Sequence, residues 1–97
     1  MSELKFSGKR ILIAGASEGV GRETALLFAA EGAAVLAVAR NAGRLDTLMA
    51  DADGEIIAMP GDLTDENFVD RLSADAGDVD VLVNLAGRTA HAPFLDS

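Results

Sequence analysis

Apolar positions along the chain change their period at regular intervals. Arg10–Ala14 (RILIA) is a short run with β-branched residues, polar on neither face and bounded by Lys9 and Gly15. Such a run is expected of a strand whose parallel sheet carries helices on both sides. From Gly19 to Ala30 the spacing changes: Val20, Thr24, Leu27 and Phe28 fall on one helical face, Arg22, Glu23 and Glu31 on the other, and Gly32 follows as a C-cap. Ala34–Ala39 is a second strand. Leu45, Leu48, Met49 and Ala52 mark a second helix ended by Gly54, and Glu55–Met59 (EIIAM) a third strand closed by Pro60-Gly61. Thr64 is placed to cap a third helix, with Asp65 and Glu66 in its first turn and Phe68, Val69 and Leu72 as its buried stripe. Val79–Leu85 (VDVLVNL) reads as a fourth strand. With right-handed crossovers the β-α-β-α-β-α-β alternation gives an α/β fold with strand order 3-2-1-4, helices one and two on one face and helix three on the other.

Three glycines, Gly15, Gly19 and Gly21, crowd the junction of the first strand and first helix. A helix starting there aims its unpaired N–H groups above the carboxyl end of the strand, where an anion is favoured. Gly15 permits a sharp exit from the strand, Gly19 lets the backbone approach a diphosphate, and Gly21 permits close packing of helix on sheet. The spacing is G-x-x-x-G-x-G rather than G-x-G-x-x-G, and by itself it is also compatible with a purely structural turn.

Composition narrows the classes. The 97 residues suffice for at most one domain, and 49% are apolar. The chain lacks Cys, so it has neither a disulfide framework nor a thiolate metal site, and with a single histidine, His91, no metal centre is expected. A formal charge of −8, from 16 acidic and 8 basic residues, disfavours nucleic acid as a partner. Ala33–Ala39 is far shorter than the roughly 20 residues that cross a bilayer, and the start MSELKFSGKR lacks the apolar region of a secretory signal. The expectation is a cytoplasmic protein with no membrane partner.

The segments GASEGVG (15–21), GDLTD (61–65) and VNLAG (83–87) resemble, in order and at the ends of the expected strands, the glycine-rich turn, adenine-contacting segment and Asn-Asn-Ala-Gly element of the short-chain dehydrogenase/reductase family. The likeness covers nearly the whole chain. It implies a Rossmann fold, a nicotinamide cofactor, and alcohol/carbonyl interconversion on a small-molecule substrate by an enzyme that forms homo-oligomers. Carried over by position, Gly15, Ser17, Gly19, Val20 and Gly21 would lie along the diphosphate, with Glu18 in the same turn. Asp62 and Leu63 would contact adenine, and Asn84, Ala86 and Gly87 would border the ribose and nicotinamide side. Each has a plainer reading: Asp62 can open a turn before the Thr64 cap, and Asn84 can satisfy backbone groups at a strand end. Two residues depart from the pattern: Leu85 replaces the second Asn of the element, and Ala14 stands where Thr is frequent.

An NAD site usually places a carboxylate about 20 residues beyond the glycines, at the end of the second strand. Here that place reads Ala39-Arg40-Asn41. Arg40 has a charged planar fork suited to a 2′-phosphate, so NADP(H) is expected over NAD(H), with a solvated loop cation as the alternative. Glu18 argues mildly the other way, since NADP-preferring relatives often carry a basic residue there. Arg44 either assists Arg40 or lies on a solvated helix face.

The family's catalytic Tyr has no counterpart, for the chain contains no Tyr, and its only lysines, Lys5 and Lys9, precede the glycine turn. No catalytic residue is therefore assigned, and the 97 residues alone are expected to be inactive. RTAHAPFLDS (88–97) resembles the segment after the fourth strand, with His91 a loop residue near the substrate mouth. The expectation is the N-terminal part of one Rossmann domain, a truncated doubly wound three-layer sandwich without its C-terminal half. Its fourth strand would be left as an open edge that invites self-association, partial disorder or pairing with a missing segment. A non-catalytic nucleotide-binding or partner-docking module is the alternative.

Overall fold

Among the described residues, four parallel strands form one sheet in the order β3-β2-β1-β4, as the crossover argument requires. The computed structural model describes residues 6–16 and 19–85. In chain order the elements are β1 (Arg10–Ala14), α1 (Gly19–Ala30), β2 (Ala34–Ala39), α2 (Ala42–Asp51), β3 (Ile56–Pro60), α3 (Glu66–Ala76) and β4 (Val81–Asn84).

Side-chain alternation in the two central strands divides the interior into two cores. Ile11, Ile13, Val35 and Ala37 face α1 and α2, where they meet Ala25, Ala29, Leu45 and Leu48. Leu12, Ala14, Leu36 and Val38 face α3 and meet Val69, Leu72 and Ala76. Each fully buried Leu, Ile or Val contributes about 1.5–3 kcal/mol. The ion pair joining Arg22 of α1 to Asp51 of α2 is partly exposed and is worth about 0–1 kcal/mol, so burial rather than charge holds these helices.

α1 departs from the expected apolar stripe. Its buried residues are Gly21, Ala25 and Ala29, whereas Val20 is 71% and Leu27 60% exposed. The reason is distance: a Cβ on Gly21 would lie 1.9 Å from the Gly15 carbonyl oxygen, so the helix sits too close to the sheet and turn for large side chains on that face. Phe28 is half-buried and meets Phe6 edge-to-face, with ring centroids 4.9 Å apart.

Element ends also shift. α2 stops at Asp51 with Ala52 as its C-cap, ahead of Gly54, and Met49 remains 38% exposed. Gly54 instead serves a close crossing, because a Cβ there would lie 2.1 Å from the Ala29 carbonyl oxygen. β3 runs one residue later than the sequence suggests and includes Pro60. Glu55 accepts from the Val35 amide and Gly61 donates to Ala39, so odd-numbered residues of β3 point toward β2. Pro60 therefore turns its missing donor to the free edge, where no ladder bond is lost. α3 is capped by Asp65, whose carboxylate accepts from the Asn67 amide at 2.9 Å, and not by Thr64. β4 is shorter than expected, because Asp80 is engaged ahead of it: its amide donates to the Arg10 carbonyl and its carboxylate accepts from the Arg10 amide, both at 2.8 Å. The Arg10 guanidinium also donates to the Ala76 carbonyl at the end of α3.

Candidate functional site

The parallel register brings four strand ends together. Ala14 lies opposite Val38 and Asn84, and Ala39 opposite Pro60. Gly15, Arg40, Gly61-Asp62 and Leu85 consequently leave the sheet along one edge.

At the centre of that edge the chain turns out of β1 and into α1. The amides of Gly15 and Ala16 both donate to the Val38 carbonyl, at 2.9 and 3.2 Å, which stitches the turn to β2. Those two donors are therefore committed. The amides of the first turn of α1 have no intrahelical acceptor and carry the positive end of the helix dipole. Among the described residues, no acidic side chain lies in that turn. Gly19, the first residue of α1, has φ +60°, and a Cβ built on it would meet nothing within 4 Å, so the space beside its backbone is open. Gly21 plays a different part, allowing α1 to rest on the Gly15 carbonyl. Val20 projects into solvent.

The neighbouring strand ends supply side chains. Arg40 is exposed just beyond β2. Asn41, next in the chain, is occupied as the N-cap of α2, its Oδ1 accepting from the Arg44 amide at 2.9 Å. Beyond β3, Asp62 Oδ1 accepts from the Thr64 hydroxyl at 2.7 Å and from the Thr64 amide at 2.8 Å. The hydroxyl bond and then the amide bond hold the Asp62 carboxyl below its ordinary pKa; desolvation opposes them, and the positive field of Arg40 adds the smallest, lowering contribution.

Leu63 is only 6% exposed and its side chain belongs to the core beneath α3. Asn84 ends β4 with an exposed side chain. Leu85 continues the ladder through its amide, which donates to the Ala14 carbonyl at 2.9 Å, so the main chain ties this segment to β1 where the family pattern has an Asn. Ser17, Glu18, Ala86, Gly87 and His91 lie outside the described residues. Among those described there is no cluster of three side chains suited to a metal and no helix long and apolar enough to cross a membrane.

The sequence matches the short chain dehydrogenase family over residues 9–97. The protein belongs to that family. It is 39% identical over 95 residues to carbonyl reductase (NADPH) 2 of Sus scrofa, an alignment covering 98% of this chain and 38% of that protein. Among solved structures, a short chain dehydrogenase/reductase family protein superposes with a TM-score of 0.80 at 40% identity, over 99% of this chain and 40% of the other. A 7α-hydroxysteroid dehydrogenase complexed with NADH and 7-oxo glycochenodeoxycholic acid superposes with a TM-score of 0.72 at 32% identity, over 84% of this chain and 35% of the other. This short-chain dehydrogenase chain spans a little over a third of the length of the curated relatives it matches.

Thr64 is the site residue that the sequence pattern misassigns. Its place one residue before an acidic pair suggests a helix cap, and only the folded turn aims its hydroxyl at Asp62.

Proposed function

We propose that this chain forms the NADP(H)-binding portion of a short-chain oxidoreductase that interconverts an alcohol and a carbonyl group on a small-molecule substrate. The observation that carries this reading is the alignment, on one sheet edge, of an anion-receptive helix start with Arg40 and Asp62 at the ends of the two adjacent strands. The open space beside Gly19 fits a diphosphate laid against the first turn of α1. Gly15, Ser17, Gly19, Val20 and Gly21 line that diphosphate, with Glu18 in the same turn. Asp62 and the backbone of Leu63 hold adenine, and Asn84, Ala86 and Gly87 border the ribose and nicotinamide side. When bound, a nicotinamide cofactor supplies hydride transfer. With neither a Tyr nor a downstream Lys among the 97 residues, the accompanying proton transfer is assigned to none of them.

The choice of NADP(H) rests on Arg40. One similar protein carries NADPH in its name and a similar structure holds NADH, so kinship leaves the choice to local chemistry. The end of β2 has no carboxylate to take both ribose hydroxyls, and its arginine suits a 2′-phosphate. The reading extends to a cytoplasmic homo-oligomer: the chain has no cysteine, and Val81 in β4 and Leu85 just beyond it are 38% and 45% exposed. A second reading, a non-catalytic nucleotide-binding or partner-docking module, is separated from the first by NADPH-dependent turnover of a carbonyl.

Equilibrium titration with NADPH and NADH tests the cofactor assignment. NADPH is expected to bind about 10- to 100-fold more tightly, the effect of a paired charge, and Arg40→Ala to erase that margin while leaving NADH affinity in place. An Arg40→Ala variant that binds NADPH as tightly as the parent overturns the assignment.

A further inference from the structure

Because Asp65 caps α3, the hydroxyl of Thr64 is not needed at the helix start. It goes to Asp62 instead, and the Thr64 amide joins it on the same oxygen, Oδ1. The turn is closed by the Asp65 amide, which donates to the Asp62 carbonyl at 3.0 Å, and is anchored to the sheet by the Gly61 amide, which donates to Ala39 at 2.9 Å. Gly61 is pinned from the other side by the Phe68 ring, which a Cβ on Gly61 would approach to 2.1 Å. The Asp62 carboxylate is therefore fixed at both its main chain and one of its oxygens.

We propose that Thr64 is a positioning residue for base selection: it holds Oδ1 so that Oδ2 of Asp62 is presented to the exocyclic amine of an adenine. This rests on the nucleotide-binding reading above and adds the device that makes the site selective for the base. An ionised carboxylate is acceptor-only. It therefore pairs with the amine of adenine and opposes a purine with a carbonyl at that position. Both hydrogen bonds from Thr64, together with the field of Arg40, favour the ionised form that this selection needs. A carboxylate free to rotate would select less, since part of its time would be spent in orientations that leave the amine unpaired.

The test is equilibrium titration of the full chain with NADPH and with its hypoxanthine analogue, in the parent, Thr64→Val and Thr64→Ser. The parent is expected to prefer NADPH by about tenfold, the scale of one well-placed hydrogen bond. Thr64→Val should reduce that preference to about threefold or less, and Thr64→Ser, which keeps the hydroxyl, should restore it. If Thr64→Val does not fold, Thr64→Ala is read in the same way. A Thr64→Val protein that keeps the full preference, or that loses affinity for both ligands equally, overturns the proposal and leaves the nucleotide site standing. A parent that binds NADPH without discriminating the base does the same. A parent that binds neither ligand overturns the nucleotide-binding reading and this proposal with it.

Discussion

The two halves of the candidate site are built from different materials. At the β1–α1 turn the structure offers main chain: two amides tied to Val38, a first turn of α1 that itself contains no acidic residue, and a glycine where backbone meets backbone. At the ends of β2 and β3 it offers side chains, Arg40 and an Asp62 fixed by Thr64. A backbone-built region recognises what every dinucleotide shares, its diphosphate, and at Gly21 it has no room for an added carbon atom. A region built from side chains can be altered one group at a time, and it is where discrimination between related ligands resides. The first half is thus coupled to folding and the second to selectivity.

The largest expected effect is at Gly21, where both functions of the turn meet. Gly21→Ala forces α1 away from the Gly15 carbonyl, and overpacking of this kind costs about 1–3 kcal/mol. Thermal unfolding should show the loss, and NADPH titration should show that binding falls with it. A Gly21→Ala protein as stable as the parent would erase the distinction drawn between the two halves. Gly19→Ala should separate folding from binding within the turn itself. The added Cβ meets open space, so the stability loss is limited to the roughly 1–2 kcal/mol of a left-handed backbone, while the diphosphate is obstructed. Calorimetry on the same sample reads both quantities, and an unchanged affinity for NADPH would remove Gly19 from the site.

Smaller effects belong to the side-chain half and the surface. Asp62 should titrate below an ordinary aspartate by carboxyl NMR, and move up in Thr64→Val as the hydroxyl bond is lost. The folded-state value is the lower one, so the stability this group contributes is present above the unfolded-state pKa and lost as the pH falls through the folded-state value. An unmoved resonance in Thr64→Val would separate the hydroxyl from the carboxylate. The smallest effect is expected for Asp51→Asn, which removes the partly exposed pair with Arg22 and should change stability by less than about 1 kcal/mol in urea unfolding. A larger change would mean that charge, as well as burial, holds α1 to α2.

Much of the fold was legible because each central strand is apolar on both faces, which only a sheet covered on both sides accommodates. β1, β2 and the start of α1 have the bounds read from the chain. Hydrophobicity misidentified the buried face of α1, since it ranks Val20 and Leu27 above Gly21, Ala25 and Ala29, whereas the close approach of helix to turn selects small residues. Asp65, next to Thr64, has an equally good capping group, and no local pattern chooses between them. Of the site, the glycines and Arg40 were visible from spacing and charge. The commitment of Asn41 to the α2 cap, the burial of Leu63 and the grip of Thr64 on Asp62 were not.

By itself the sequence determined the alternation of elements, the strand order, and the presence of a glycine-rich turn followed by a basic residue at the next strand end. These depend on period, chirality and residue type, which are local or nearly so. Tertiary structure alone decided which helix face is inside, which donors of the β1–α1 turn are already used, and how closely Gly54 passes Ala29. Those outcomes turn on differences of an ångström or two between groups far apart in the chain, such as Gly15 and Val38 or Ala29 and Gly54, and only packing sets such distances.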